Sequence, residues 1–430
     1  MQYWIETLGC PKNQVDSEKL AGVLESQGYD NARSPEDADL VVANTCAFIE
    51  AARAESVETV LDLADRKRDG ARLVVTGCMA ERYGEELAAA LPEVDLVAGF
   101  GRSLTASPVA LRARAMPDFD LLNLPRPASS RPWAYVKIAE GCDRRCGFCA
   151  IPTFRGDQRS RSREQVVTEV RALVAGGARE IVLVAQDLAS WGHDRRRAGR
   201  GEAVEALDEG AAQPLIDLTN ALAREVERVR LLYLYPSGLT SGLIDAILAT
   251  GVPYFDLSLQ HASRPLLRSM RRWGDGDRFL ERISAIRARE PDATFRSSFI
   301  LGYPGETEED QRALLDFIES AQLDWAGFFT FSPEEGTPAR GMKDQVPSEL
   351  ALERLREVSE VQDAITARRR DALVGTRQRV LVDAPGVGRS VRECPEIDGV
   401  VLLDRSLPVG SMVECDIVAS RGTDLEGVAR

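Results

Sequence analysis

The sequence predicts an α/β protein in three parts: an N-terminal parallel α/β domain, a central partial (β/α)6 barrel and a small C-terminal antiparallel β-barrel. Three observations predict it. Continuous apolar runs alternate with amphipathic helical stretches through the first part of the chain, the pattern of a parallel sheet covered on both faces. The alternation breaks at a Pro- and Ser-rich stretch and then resumes for six units, which suits a partial barrel better than an eightfold one. Residues 375–430 change to short alternating runs punctuated by Gly and Pro, as in a small β-barrel.

In the first part, 1–116, the strands are Tyr3-Trp4-Ile5, Leu40-Val41-Val42-Ala43, Leu73-Val74-Val75 and Leu96-Val97, with a helix over 16–27. Pro125, Pro127 and Pro132 resist regular structure, so 117–132 reads as a domain linker. The barrel, 133–346, has strand-like runs at 134–139, 180–184, 230–235, 254–259, 294–300 and 326–331. A segment rich in Gly, Ala and Glu, 198–213, has no clear period and reads as a mobile insertion after the second strand. A long helix with charged faces occupies the connection 347–374. The strand-like runs of the last part are 379–382, 399–403 and 412–418.

Composition narrows the function. The 430 residues are 44% hydrophobic and 28% charged, an ordinary globular balance. No apolar run is long enough to span a bilayer, and no basic leader or signal-type stretch opens the chain, so the expectation is a cytoplasmic protein without a membrane partner. The net charge of −14 argues against a general nucleic-acid binder and makes a basic protein the easier partner. Only His193 and His261 are present, which excludes chemistry built on several histidines. Eight cysteines in a reducing compartment point to metal or redox use rather than disulfides.

Three of them stand at CxxxCxxC spacing in Gly141-Cys142-Asp143-Arg144-Arg145-Cys146-Gly147-Phe148-Cys149. This loop follows the first barrel strand, at the carboxyl edge where barrel active sites are built. Three thiolates on one loop suit three irons of a four-iron four-sulfur (4Fe-4S) cluster, leaving one iron open. A zinc site would want a fourth ligand, and neither histidine is near. Cys10, Cys46 and Cys78 look scattered, yet each comes just after an N-terminal strand. Parallel strands end along one edge, where open α/β sheets bind ligands, so this trio is expected to converge on a second cluster. Gly9 and Gly77 let the backbone approach closely. Cys394 and Cys415 read as ordinary thiols.

Other candidates sit at strand ends. Gln186 and Asp187 end the second barrel strand, and Gln260 and His261 the fourth; they are candidates for cofactor or substrate contacts. Arg296 lies within the fifth strand, where a buried charge needs a partner: a cofactor carboxylate, or an Asp or Glu of the chain. Gly302-Tyr303-Pro304-Gly305-Glu306-Thr307 ends that strand, with Gly302 and Glu306 as cofactor-site candidates and Thr307 as N-cap of the next helix, Asp310 nearby.

The cysteine loop, with aromatic Phe148 just before its last cysteine, resembles the radical S-adenosylmethionine (SAM) superfamily. The resemblance implies that SAM chelates the open iron at Cys142, Cys146 and Cys149 and is cleaved by one electron to a 5′-deoxyadenosyl radical. Thr7-Leu8-Gly9-Cys10-Pro11-Lys12-Asn13 resembles the N-terminal domain of the methylthiotransferases, and Cys-Pro-Lys-Asn resembles their RimO branch, where the tRNA-modifying MiaB branch has Cys-Gln-Met-Asn. Leu259-Gln260-His261-Ala262-Ser263, Phe299–Thr307 and Pro395-Glu396-Ile397-Asp398-Gly399 agree with the same branch, and the C-terminal barrel resembles a TRAM domain. The implied activity is transfer of a methylthio group to the β-carbon of an aspartate in ribosomal protein S-twelve. The implied cofactors are two 4Fe-4S clusters and SAM, the latter as radical source and methyl donor. The implied partners are that basic protein and a low-potential electron donor such as flavodoxin or ferredoxin. Two readings compete: a tRNA methylthiotransferase, and a non-catalytic electron-transfer or ribosome-binding protein. Residues 371–430 carry ten acidic and seven basic residues and no lysine, which suits a basic protein better than tRNA. Pure electron carriers normally use four protein ligands per cluster, which disfavours the second.

Overall fold

The computed structural model describes all residues except 107–116, 128 and 198–211. The insertion expected over 198–213 therefore lies outside the described residues, apart from its last two. The N-terminal domain is one parallel sheet, ordered β2-β1-β3-β4-β5. Its strands are β1 (Gln2–Thr7), β2 (Asp30–Asn31), β3 (Leu40–Thr45), β4 (Arg72–Gly77) and β5 (Leu96–Val97). Alternate residues of β3 and β4 face opposite cores: Val41, Ala43, Leu73 and Val75 one way, Leu40, Val42 and Val74 the other. Three helices cover the faces: α1 (Pro11–Ser26), α2 (Glu50–Arg66) and α3 (Cys78–Ala90). The edge strand β2 was not expected, because its two residues are polar and exposed.

The proline-rich stretch expected as a linker packs as a strap. Leu121 and Leu122 are buried, Lys19 Nζ donates to the Leu122 carbonyl, and Arg126 pairs with Glu18 of α1 and Glu169 of the barrel.

The barrel is open. Its strands are β6 (Trp133–Lys137), β9 (Glu180–Val184), β10 (Arg228–Leu231), β11 (Tyr254–Gln260), β12 (Thr294–Leu301) and β13 (Trp325–Thr330). They form two parallel three-stranded halves, β6-β9-β10 and β11-β12-β13, joined by a bridge between Leu234 and Leu257 and by the Tyr233 N–H donating to Asp256 at 2.9 Å. The third strand is shorter than its apolar run, because Tyr233 has φ 60° and leaves the extended conformation. A small antiparallel pair, β7 (Ala139–Glu140) with β8 (Arg159–Ser160), brackets the CxxxCxxC loop.

Both terminal domains fill the open barrel. Val15 of α1 and Cys394, with Val391 and Ile397, pack against Tyr135, Val182, Val184, Tyr254 and Trp325 of the strands. The long helix Ser348–Asp371 adds Val358 and Ile365 to the main core. It leads into a closed barrel, ordered β14-β15-β16-β18-β17. These strands are β14 (Arg377–Ala384), β15 (Val387–Arg389), β16 (Val401–Leu402), β17 (Met412–Arg421) and β18 (Asp424–Ala429). The barrel is not purely antiparallel: β16 and β18 pair in parallel. Strands β15 and β18 escaped the sequence pattern because Gly388 and Gly427 interrupt their alternation.

The loop between β15 and β16 docks into the central barrel. Tyr135 Oη donates to the Pro395 carbonyl at 2.6 Å, Trp325 Nε1 to the Arg392 carbonyl at 2.9 Å, and Tyr254 Oη to Asp398 at 2.6 Å. Here Arg296 finds its partner: Asp398 at 2.9 Å, with Asp256 at 3.9 Å. Of the two alternatives left open for this arginine, the chain's own carboxylates take it. Among the described residues no helix is long and apolar enough to cross a membrane.

Candidate active site

The N-terminal trio is built by strand ends and helix starts. Cys10 is the N-cap of α1, Cys46 follows β3, and Cys78 opens α3. Gly9 and Gly77 both have φ +90°. A Cβ on Gly9 would stand 2.9 Å from Cys46 Sγ, and one on Gly77 2.3 Å from Asn44 Oδ1, so only glycine brings these loops together. Asn13 ties them: its Nδ2 donates to the Leu8 carbonyl at 2.9 Å and the Thr45 carbonyl at 3.1 Å. Its Oδ1 accepts from Arg155 at 2.7 Å and lies 3.6 Å from Cys78 Sγ. Arg155 Nη2 also donates to Cys78 Sγ at 3.0 Å.

These surroundings split the three thiols. Burial opposes ionisation of Cys10, but Lys12, Arg155 and the backbone N–H groups of Asn13 and Lys12 outweigh it and hold its pKa below the usual thiol value. Burial, with Cys10 and Cys78 beside it, pushes Cys46 up to about 12. Burial also raises Cys78, against the pull of Arg155. Cys10 and Cys78 sit at helix N-termini, where the helix dipole favours negative charge.

The barrel trio is held as firmly. Gly141 has φ +74°, and a Cβ there would be 2.2 Å from the Asp157 carbonyl. Cys142 N–H donates to the Gly156 carbonyl at 3.0 Å, and Gly147 N–H to the Met270 carbonyl at 2.9 Å. Arg144 N–H approaches Cys142 Sγ at 3.4 Å, and Arg272 Nη1 approaches Cys146 Sγ at 3.5 Å. Burial, with Asp187 beside Cys142 and Cys146 beside Cys149, pushes both thiols up to about 12. Such thiols ionise only when a metal displaces their protons. Among the described residues, no group of three His, Cys, Asp or Glu side chains is set to hold a single metal ion. Three thiols per site suit three irons of a cluster whose fourth iron is open.

Unmatched polar atoms gather near the barrel trio. Gln186 Nε2 donates to Glu140 at 2.9 Å, while its Oε1 is buried without a partner. Asp187 Oδ2 accepts from Arg144 at 2.7 Å and Ser190 at 2.7 Å, while its Oδ1 is buried without a partner. Both amide atoms of Gln158 are in the same state. Buried polar atoms are normally matched, so a mouth holding several suits a polar ligand such as SAM. The Tyr235 ring lies between the guanidiniums of Arg144, 3.8 Å from its centroid, and Arg272, at 4.1 Å.

The remaining candidates are placed differently. Gln260 ends β11 with φ 73°. Glu306 accepts from the Gly302 N–H at 2.7 Å and the Tyr303 N–H at 3.3 Å, and pairs with Arg354 at 3.0 Å. It thus ties its own turn to the long helix, and burial raises its pKa against Arg354. Gly302, with φ +74°, lets Ala351 of that helix approach. Sequence reasoning missed Asn13, Arg155, Arg272 and Tyr235 as site residues. Asn13 stood in the Cys-Pro-Lys-Asn motif; the others carry no signal without the fold.

A parallel barrel with a three-thiol loop at its strand ends, polar atoms gathered beside it, defines a radical SAM enzyme. Comparison with known proteins agrees. Residues 136–318 match the radical SAM superfamily, 374–429 the TRAM domain, and 2–99 a family described as uncharacterized protein family UPF0004. The chain is similar to "Ribosomal protein uS12 methylthiotransferase RimO" of Moorella thermoacetica, 43% identical over 95% of this chain and 94% of the relative. It is also similar to the protein of that name from Geobacter sulfurreducens, 42% identical over 98% and 97%. Among solved structures it resembles the radical S-adenosylmethionine methyltransferase TsrM from Kitasatospora setae, solved with cobalamin and a 4Fe-4S cluster bound, with TM-score 0.51 and 14% identity over 95% of this chain and 83% of that one. At that identity the likeness is one of fold. The chain belongs to the RimO family and is a radical SAM methylthiotransferase, a family that works with SAM and two 4Fe-4S clusters.

Proposed function

We propose that this enzyme adds a methylthio group to the β-carbon of an aspartate in ribosomal protein S-twelve. Cys142, Cys146 and Cys149 hold the cluster that binds SAM, and Cys10, Cys46 and Cys78 hold the second. The observation that carries this is the placement of two three-thiol sites at parallel strand ends, linked through the helix Ile151–Arg155, which starts two residues past Cys149 and reaches Cys78. When bound, SAM and the clusters supply a hydrogen-abstracting radical and a transferable methylated sulfur, which no side chain offers. The protein binds and orients. Gln186 and Asp187 contact SAM through their unmatched oxygens, and Gln260 contacts it from the end of β11. Arg296 pairs with Asp398 instead, Glu306 with Arg354 and its own turn, and Gly302 lets the long helix approach. The domain division follows 1–116 for the second cluster, 117–132 as connection, 133–346 for SAM, 347–374 as helix and 375–430 as barrel.

A net charge of −14 favours encounter with a basic ribosomal protein. A low-potential donor of the flavodoxin or ferredoxin kind supplies electrons, and the cytoplasm holds both partners. Mass spectrometry of ribosomal protein S-twelve from cells with and without the gene tests the reading. The methylthio mass on one aspartate disappears on deletion and with Cys142→Ala or Cys46→Ala. An unmodified protein in wild-type cells rejects the substrate and turns attention to tRNA.

A further inference from the structure

We infer that Arg155 is a positioning residue supplied by the barrel to the N-terminal cysteine site, where it holds Cys78 and sets the redox poise of the cluster proposed there. The inference rests on that cluster. Arg155 closes the short helix Ile151–Arg155 of the barrel, yet its guanidinium serves the other domain. One end is anchored: Nη1 donates to Glu140 at 2.7 Å and lies 3.5 Å from Asp16. The rigid fork thereby commits the other end, Nη2, to Cys78 Sγ at 3.0 Å and Asn13 at 2.7 Å.

The side chain is 1% exposed, so its charge is little screened. Hydrogen bonds to cluster sulfurs and nearby charge are levers on cluster potential. A positive donor at a thiolate stabilises the reduced, more negative cluster. The barrel trio has a separate arginine, Arg272, 3.5 Å from Cys146 Sγ, so each trio has its own guanidinium donor. The N-terminal site is then incomplete without the barrel.

The test uses the full chain with Cys142, Cys146 and Cys149 all replaced by Ala, which leaves only the N-terminal cluster. Iron content and an EPR-monitored redox titration are measured with and without changes at Arg155. Arg155→Gln is expected to lower the ratio of reduced to oxidised cluster at fixed potential about tenfold, equivalent to about 59 mV for one electron. Arg155→Lys, which keeps the charge and loses the fork, is expected to give a smaller fall in the same direction. An unchanged ratio with iron bound overturns the inference. Should Arg155→Gln fail to fold, the paired change Arg155→Gln with Glu140→Gln keeps the buried charges balanced; a lowered ratio supports the inference and an unchanged one overturns it. A parent chain that binds no iron at the remaining trio overturns the cluster assignment itself, and the inference with it.

Discussion

Asn13 carries no charge and is fully buried, yet it joins the ends of β1 and β3 and braces Arg155. Asn13→Ala leaves the Leu8 and Thr45 carbonyls without these partners, at about 1–3 kcal/mol each, and loosens Arg155. Iron content should fall from about eight to about four per chain, measured with the barrel cluster still visible by EPR. A variant with full iron would show that the glycines and helix starts alone hold the trio. His261 is a second buried residue with a measurable consequence. Burial, with Arg354 nearby and against Asp310, lowers its pKa to about 4. Between about pH 4 and the unfolded value near 6.5, the unfolded chain holds more protons, so stability falls as pH falls. The loss from this group is on the order of 2 kcal/mol at pH 5 relative to neutral. His261→Asn keeps an acceptor for the Ser263 N–H, which now bonds Nδ1 at 3.0 Å, and should remove that much of the fall in unfolding free energy between pH 7 and 5, measured by urea titration. At this scale the cysteines were legible because spacing and strand ends announce them. Arg155 was not, because its partner Cys78 is far away in sequence.

The helix starts and glycine turns were legible as elements. Thr307 was expected to cap the helix Glu308–Ala321, and it does so with Asp310 in a reciprocal capping box. Apolar runs located the six strands of the central barrel and all of the N-terminal sheet but β2, but they overran β10, where Leu232 and Leu234 stay buried beyond the strand's end at Leu231. Burial, which the pattern reports, and strand conformation part company there. The turn from β4 into α3 makes the sharpest prediction. Gly77 has φ 90° and ψ −160°, a region open essentially to glycine alone, and a Cβ would also lie 2.5 Å from the Thr45 carbonyl. Gly77→Ala should cost on the order of 3 kcal/mol and displace Cys78 from its place. Its cluster signal should then drop to that of the barrel cluster alone in EPR, while a two-cluster spectrum would mean the turn rearranges without moving Cys78.

The three-part architecture was legible, but the way the parts lock together was not, since no pattern in one segment reports a charge in another. Glu180 of β9 shows the lock. It is fully buried and meets Arg230 at 2.8 Å, Arg389 of the C-terminal barrel at 3.0 Å and Arg228 at 3.9 Å. Burial opposes its charge, but Arg389, Arg230 and Arg228 prevail and hold its pKa at about 2. Arg389 also pairs with Asp383, and Arg228 donates to the Arg389 and Arg379 carbonyls at 3.0 and 2.6 Å, so the arginines span the seam between the two domains. Buried ion clusters are weak evidence for stability, because desolvation offsets attraction, but breaking one is costly. Glu180→Gln removes the carboxylate that Arg230 and Arg389 share and should destabilise the protein by about 3–5 kcal/mol. Trp133 and Trp325, two of the five tryptophans, pack into the same seam, Trp325 bonded to the Arg392 carbonyl, so part of the tryptophan fluorescence reports on it. In a urea titration the variant should lose its tryptophan signal at lower urea than the wild-type chain, with proteolysis after the helix Ser348–Asp371 appearing over the same range. If fluorescence and cleavage midpoints both stay where they are, Glu180 is not what joins the C-terminal barrel to the SAM barrel, and the Asp398 contacts with Arg296 and Tyr254 carry that seam.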